Sequence, residues 1–139
     1  MVVKVLSFWE QGWNTPIKEY DLWHFPVREF QIDEFIMIPI SGIDGEVTEY
    51  KDFEDVNTSD VTIVWIDENG EDDLQDFEHP ENAMYVFGRT SLAPMNIYKK
   101  DGDKSVKITT LENKGLLWGH QAMVLVLYDR MLKNGSNSN

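Results

Sequence analysis

Apolar residues along this chain fall into short, nearly uninterrupted runs separated by polar and turn-forming stretches. Residues 2–8 (VVKVLSF), 34–40 (EFIMIPI), 61–66 (VTIVWI) and 83–87 (AMYVF) are runs of this kind, with a shorter one at 106–109. Runs of four to eight residues, rich in β-branched and aromatic side chains and lacking strict alternation, are the pattern of strands buried on both faces of a parallel sheet. Turn signals bound them: Gln11-Gly12, Pro39 with Ser41-Gly42, Asp67-Glu68-Asn69-Gly70, and Gly88. Between the first two strands, Thr15 reads as a helix N-cap, Pro16 as the first helical residue and Glu19 as closing a weak capping pattern; Phe25-Pro26 should interrupt or end that helix. Residues 72–77 read as a weak short helix before His79-Pro80. Parallel strands need crossovers, so the expectation is an α/β fold with a mainly parallel sheet flanked by helices.

The clearest helix is predicted over 116–133, with Arg130 and Lys133 near its negative end and Asn134-Gly135 as its stop. Leu117 and the run from Ala122 to Tyr128 place apolar side chains nearly all round it. Such a helix must be covered all round, and in a chain this small one side is expected to meet a second copy, giving a homodimer through this helix. Residues 1–134 are expected to form a single domain and the polar stretch 135–139 a disordered tail; no internal repeat is visible.

At 139 residues and 42% hydrophobic content the chain can build one proper core. It has no cysteine, which removes disulfides, thiolate zinc sites and cysteine nucleophiles. No signal peptide is visible at the N-terminus and no apolar run approaches the length of a membrane span, so a cytoplasmic protein without a membrane partner is expected. The net charge of −13 argues at first against nucleic acid. Its distribution changes that picture. Between Asp44 and Glu81, fifteen acidic residues stand against Lys51, whereas the segment from Asn82 onward carries eight basic residues and four acidic ones. An acidic and a mildly basic face can coexist on one domain.

Glycine-rich phosphate loops are absent, the Asp-rich turns lack the acid spacing of a calcium loop, and His79-Pro80-Glu81 has no cysteine pair to complete a zinc deaminase signature; no metal is expected. Three residue blocks carry a positive signal. AMYVFGRTSL, SVKITTLENKG and LLWGHQAMVLVLYD give a strand ending in Phe-Gly, a second strand, a loop and an apolar helix. This order resembles the C-terminal half of the SPOUT RNA methyltransferases. There an aliphatic strand ends in Phe-Gly-x-Glu, another ends in Ile-Pro, and a Ser-Leu-Asn loop opens a helix closing in Leu-Tyr-Glu. Phe87-Gly88, Ile108, Leu116-Leu117-Trp118 and Leu127-Tyr128-Asp129 occupy those places, and Asn14-Thr15, Arg28 and Pro39 follow the family's N-terminal order.

The resemblance implies a C-terminal trefoil knot and S-adenosylmethionine held by backbone groups of three loops. By that resemblance the cofactor-binding residues would be Ile66, Phe87, Gly88, Ile108, Thr109, Leu116, Leu117 and Trp118. It also implies RNA as substrate, tRNA or rRNA, methylated at a ribose 2′-hydroxyl, with Arg28 lowering the hydroxyl's pKa and Arg89 placing phosphate as the catalytic pair. Either arginine reads first as a surface or salt-bridging residue. Trp118 and His120 read either as packing residues or as a stacking platform and a general base. Thr90, Thr109, Leu116 and Trp118 replace the family's Glu, Pro, Ser and Asn. Those replacements keep a second reading open, a catalytically inactive binding protein on the same fold.

Overall fold

The apolar runs become the strands of one parallel sheet. In a computed structural model, residues 1–10, 14–88 and 93–135 are described. The strands are β1 (Val3–Phe8), β2 (Glu34–Ile38), β3 (Thr48–Glu49), β4 (Thr62–Ile66), β5 (Asp72–Asp73), β6 (Ala83–Phe87) and β7 (Lys104–Lys107). They lie in the order β3-β2-β1-β6-β4-β7-β5, and every pairing is parallel. The helices are α1 (Pro16–Glu29), α2 (Pro94–Tyr98) and α3 (Gly119–Asn134).

Successive strand residues point to opposite faces, and both faces are buried, which is why the runs do not alternate with polar residues. On one face Val3, Val5, Tyr85 and Phe87 meet Trp23 and Val27 of α1 and Met123, Val126 and Leu127 of α3. On the other, Leu6, Ile36, Trp65 and Val86 are covered by Phe53, Val56 and, from α2, Met95 and Tyr98. Aromatic rings pack in both layers: Trp23 stacks on Phe35 with centroids 6.0 Å apart, and Phe53 lies tilted against Trp65 at 5.2 Å.

Several sequence expectations change. Thr15 is the N-cap of α1 in extended conformation with Pro16 following, but its side chain makes no capping bond. The Glu19 carboxylate does not complete a capping box; it accepts from Asn14 Nδ2 at 2.9 Å and from Trp23 Nε1 at 3.1 Å. The helix also runs through Pro26 to Glu29. A proline costs its own N–H and crowds the carbonyl four residues back; here Tyr20, Trp23 and Val27 anchor one face of the helix in the core on both sides of it. Residues 72–77 form β5 and a single 3₁₀ turn, Leu74–Asp76, because Asp72 and Asp73 pair with Val106 and Lys107. The last helix begins at Gly119, three residues later than predicted, leaving Leu116 and Leu117 in the loop before it.

Candidate functional site

Three adjacent strands, in the order β6-β4-β7, end side by side. Outgoing loops at the carboxyl ends of parallel strands form the usual ligand crevice of an α/β sheet. Here the turn after β4, Gly88 after β6, the start of α2 from Ala93, and the long loop between β7 and α3 line a cavity of about 250 Å³. Its lining is divided. Ile66, Phe87, Ile108, Leu116, Leu117 and Ala122 give apolar walls, while Asp67, Glu68, Asn69, Asn96 and Thr110 bring polar groups.

Of the cofactor residues expected from the sequence, Ile66, Phe87, Gly88, Ile108, Leu116 and Leu117 line this cavity. Gly88 does so for a packing reason: a Cβ there would overlap the Pro94 ring, so its lack of a side chain seats the start of α2 against the end of β6. Thr109 is not among the lining residues, and its hydroxyl donates to the Asp73 carboxylate. Trp118 forms part of a neighbouring slot. Arg28 is remote from both: α1 runs back from the carboxyl end of β1, and Arg28 sits exposed in its last turn. That is the amino-terminal edge of the sheet, where Asp33 exchanges hydrogen bonds with Val3, roughly 20 Å of helix away from the strand ends. Arg89 and Thr90 lie outside the described residues.

The sequence missed Asp67, Glu68 and Asn69, read there only as a turn, and it missed α2, which supplies Pro94, Met95 and Asn96. A proline at a first helical position was the available signal for α2. Five residues of helix carry too little periodicity to reveal it otherwise.

The slot beside the cavity is about 20 Å³, room for a single water-sized group. Phe8, Trp23 and Trp118 wall it, Glu19 and His120 give it polar character, and Phe87, Gly88 and Gly119 are shared with the larger cavity. Glu19 is 4% exposed, and Trp118, at 51%, lies edge-on to His120 with ring centroids 5.8 Å apart. Among the described residues, no lysine or arginine lines either space. The neighbouring lysines turn to other acids: Lys99 reaches Glu71 at 4.0 Å, and Lys114 reaches Glu112 at 3.3 Å.

A second polar cluster, unanticipated from the sequence, joins α3 to the sheet. Arg130 donates to Tyr85 Oη at 2.9 Å and to the carbonyls of Pro80 and Glu81 at 2.6 and 2.8 Å. His79 lies 2.7 Å from Tyr85 Oη through Nδ1 and 2.7 Å from Asp129 through Nε2. With Asp129 accepting, Nε2 carries the proton and Nδ1 accepts from Tyr85, so the relay fits a neutral imidazole. Burial lowers the His79 pKa, outweighing the upward pull of Asp129, and pushes Tyr85 up to about 12. Among the described residues no group of acids and histidines is arranged to hold a metal ion, and no helix is long and apolar enough to cross a membrane.

No protein-family profile and no curated protein sequence matches the chain. Solved structures do. A candidate RNA methyltransferase from Bacillus anthracis superposes with a TM-score of 0.74 at 16% identity, over 97% of this chain and 96% of that one. The SpoU methyltransferase AviRb from Streptomyces viridochromogenes, solved with S-adenosylmethionine, gives 0.77 at 14% identity over 96% of this chain and 58% of its own. A structure described for 2-OH methylation of C/U34 on tRNA gives 0.71 at 12% identity, covering 96% and 91%. With superposition over nearly its whole length, this chain has the α/β fold of the SpoU-type, or SPOUT, methyltransferases.

Proposed function

We propose that the chain binds S-adenosylmethionine in the cavity at the carboxyl ends of β4, β6 and β7 and transfers its methyl group to RNA. That cavity, with its divided lining, is the observation that carries the reading. An adenosine needs a flat apolar wall and polar partners at its edges and sugar, and both are present. The bound cofactor would supply an electrophilic methyl on a sulfonium. Ile66, Phe87, Gly88, Ile108, Leu116 and Leu117 would hold it, with Asn69, Asn96 and Thr110 available to its polar groups. Knotted threading of the loop between β7 and α3 belongs to the same reading.

On the acceptor side, Glu19, Trp118 and His120 would border the reacting atom, because their slot shares Phe87, Gly88 and Gly119 with the cavity. Methyl transfer depends chiefly on alignment of acceptor, carbon and sulfur, which a narrow slot favours. A ribose 2′-hydroxyl is the acceptor suggested by the resemblance and by the structure described for 2-OH methylation of tRNA. Within one chain Arg28 lies far from the slot, where Glu19 and His120 are the titratable groups placed to take the hydroxyl proton.

The second reading, a binding protein that has lost catalysis, is favoured by Leu116 and Trp118 at family polar positions and by the engagement of Thr109 with Asp73. Calorimetric titration with S-adenosylmethionine tests the shared part of both readings. Saturable one-site heat is expected, and silence at millimolar cofactor removes the methyltransferase. Binding without radiolabelled methyl incorporation into unmodified tRNA and rRNA transcripts favours the binding protein.

We also infer a homodimer through α3. Val124, Leu125, Tyr128 and Leu132 are exposed on that helix, and Ile17 and Phe25 are exposed on α1, which packs on the same face of the sheet. Exposed apolar residues gathered on one side of a molecule mark an interaction surface.

A further inference from the structure

The charged side chains among the described lining residues of the cavity are Asp67 and Glu68, both carboxylates. Asp67 is engaged, accepting the backbone N–H of Asn69 at 2.9 Å. Among the described residues Glu68 has neither a hydrogen bond nor an ion pair, and its carboxylate lies over Gly115 in the loop before α3. A Cβ at Gly115 would overlap Glu68 Oε2, and Gly115 holds a φ of +64, so the bare backbone at this point makes room for the acid. Lys114 is paired with Glu112, which leaves the Glu68 charge uncompensated by it. The described lining of the cavity is therefore negatively charged, and its apolar walls concentrate the field of that charge.

We propose that Glu68, backed by Asp67, makes the cavity read cofactor charge, holding cationic S-adenosylmethionine in preference to neutral S-adenosylhomocysteine. The inference rests on the cofactor reading above. In the transfer the acceptor bonds to the methyl carbon, the carbon–sulfur electron pair stays on sulfur, and the acceptor's proton passes to Glu19 or His120 and on to solvent. The sulfonium becomes an uncharged thioether while Glu68 stays charged. Turnover thus removes one of the attractions that held the cofactor, and product release is built into the charge balance of the pocket. Because Glu68 is solvent-exposed, its contribution is screened, and a preference of about five-fold at low ionic strength is expected.

Calorimetry on the full chain tests this without any RNA. The probes are S-adenosylmethionine, S-adenosylhomocysteine and sinefungin, whose protonated amine replaces the sulfonium. At roughly 0.05 M salt both cations should bind about five-fold tighter than the neutral product, and the gap should close towards unity at about 0.5 M. Glu68→Gln should close the same gap by weakening the two cations while leaving S-adenosylhomocysteine within about two-fold of its original affinity. A thermal melt confirms that the exposed substitution leaves the fold intact. Equal affinities in the unsubstituted protein would overturn the proposal. Equal weakening of all three ligands by Glu68→Gln would overturn it too, making Glu68 a hydrogen-bond acceptor for the adenosine they share. If none of the three binds at millimolar concentration, the cofactor reading itself fails, and this inference with it.

Discussion

Ser7, in β1, is fully buried beside Met37 and Phe87 of the neighbouring strands, and its hydroxyl has no hydrogen-bond partner among the described residues. A buried hydroxyl that has lost its water without gaining a partner costs free energy, and removing it leaves only a small void. Ser7→Ala should stabilise the protein by about 1 kcal/mol, measured as a shift of the urea midpoint without a change in slope. Glu19 is the opposite case: also buried, but bonded to Asn14 and Trp23 and facing the slot beside the cavity. If it serves the acceptor, Glu19→Gln should lower methyl incorporation at least ten-fold while S-adenosylmethionine affinity holds within about two-fold. Parallel loss of cofactor binding would instead make it a scaffold residue. At this scale the sequence was informative about the apolar lining through the family resemblance, which pointed to Ile66 and Phe87 at the ends of β4 and β6 and to Ile108 just past β7. It was silent about Glu68 and Glu19, whose importance comes from what lies across from them.

Among the elements, α3 is bound to the sheet by more than its apolar stripe. Met123 and Val126 are fully buried, and beyond them Arg130 and Lys133 donate to backbone carbonyls of the segment before β6. The Lys133 ammonium closes over the carbonyls of Leu74, Gln75 and Phe77 at 2.8–3.0 Å. Arg130→Met would strand the Pro80 and Glu81 carbonyls and leave His79 and Asp129 without their neighbour. A loss of about 3 kcal/mol is expected in denaturant unfolding. His79 makes the same junction sensitive to acid. Its folded pKa lies below the ordinary 6.5, so the unfolded chain binds a proton first as pH falls. Stability should therefore decline as pH drops through 6.5 and level off below the folded pKa. Thermal melts between pH 7.5 and 5 should show the decline, and His79→Gln should flatten it; an unchanged slope would assign the decline elsewhere. The length of its apolar stretch, the basic residues near its end and the Asn134-Gly135 stop made α3 legible, and the shorter apolar runs made the strands legible. Pro26 misled because local chemistry opposed a helix that Tyr20, Trp23 and Val27 hold from the core. The 72–77 segment misled because its pairing partner, β7, is more than thirty residues away.

For the whole molecule, the exposed apolar side of α3 and α1 predicts a second copy. Leu132 is 66% exposed and Tyr128 51%, a costly display unless it is covered. Sedimentation should give a dimer, and Leu125→Asp with Tyr128→Glu should give a folded monomer of unchanged circular dichroism. A monomeric unsubstituted chain would refute the dimer directly. Two residues of the acidic stretch read from the sequence, Asp67 and Glu68, line the cavity itself. What the sequence determined by itself was the layer structure: doubly buried runs can be satisfied only in a covered parallel sheet, and the Phe-Gly and Ile-loop-helix blocks indicated which strand ends would converge. That information is local, carried by the period and length of each run. Tertiary structure decided which side chains met at those ends. It left Arg28 at the far edge, drew Asp67, Glu68 and α2 into the cavity, and turned His79, Asp129 and Arg130 into one cluster. Those outcomes depend on strand order and on contacts some fifty residues apart in the chain, and no local pattern encodes such distances.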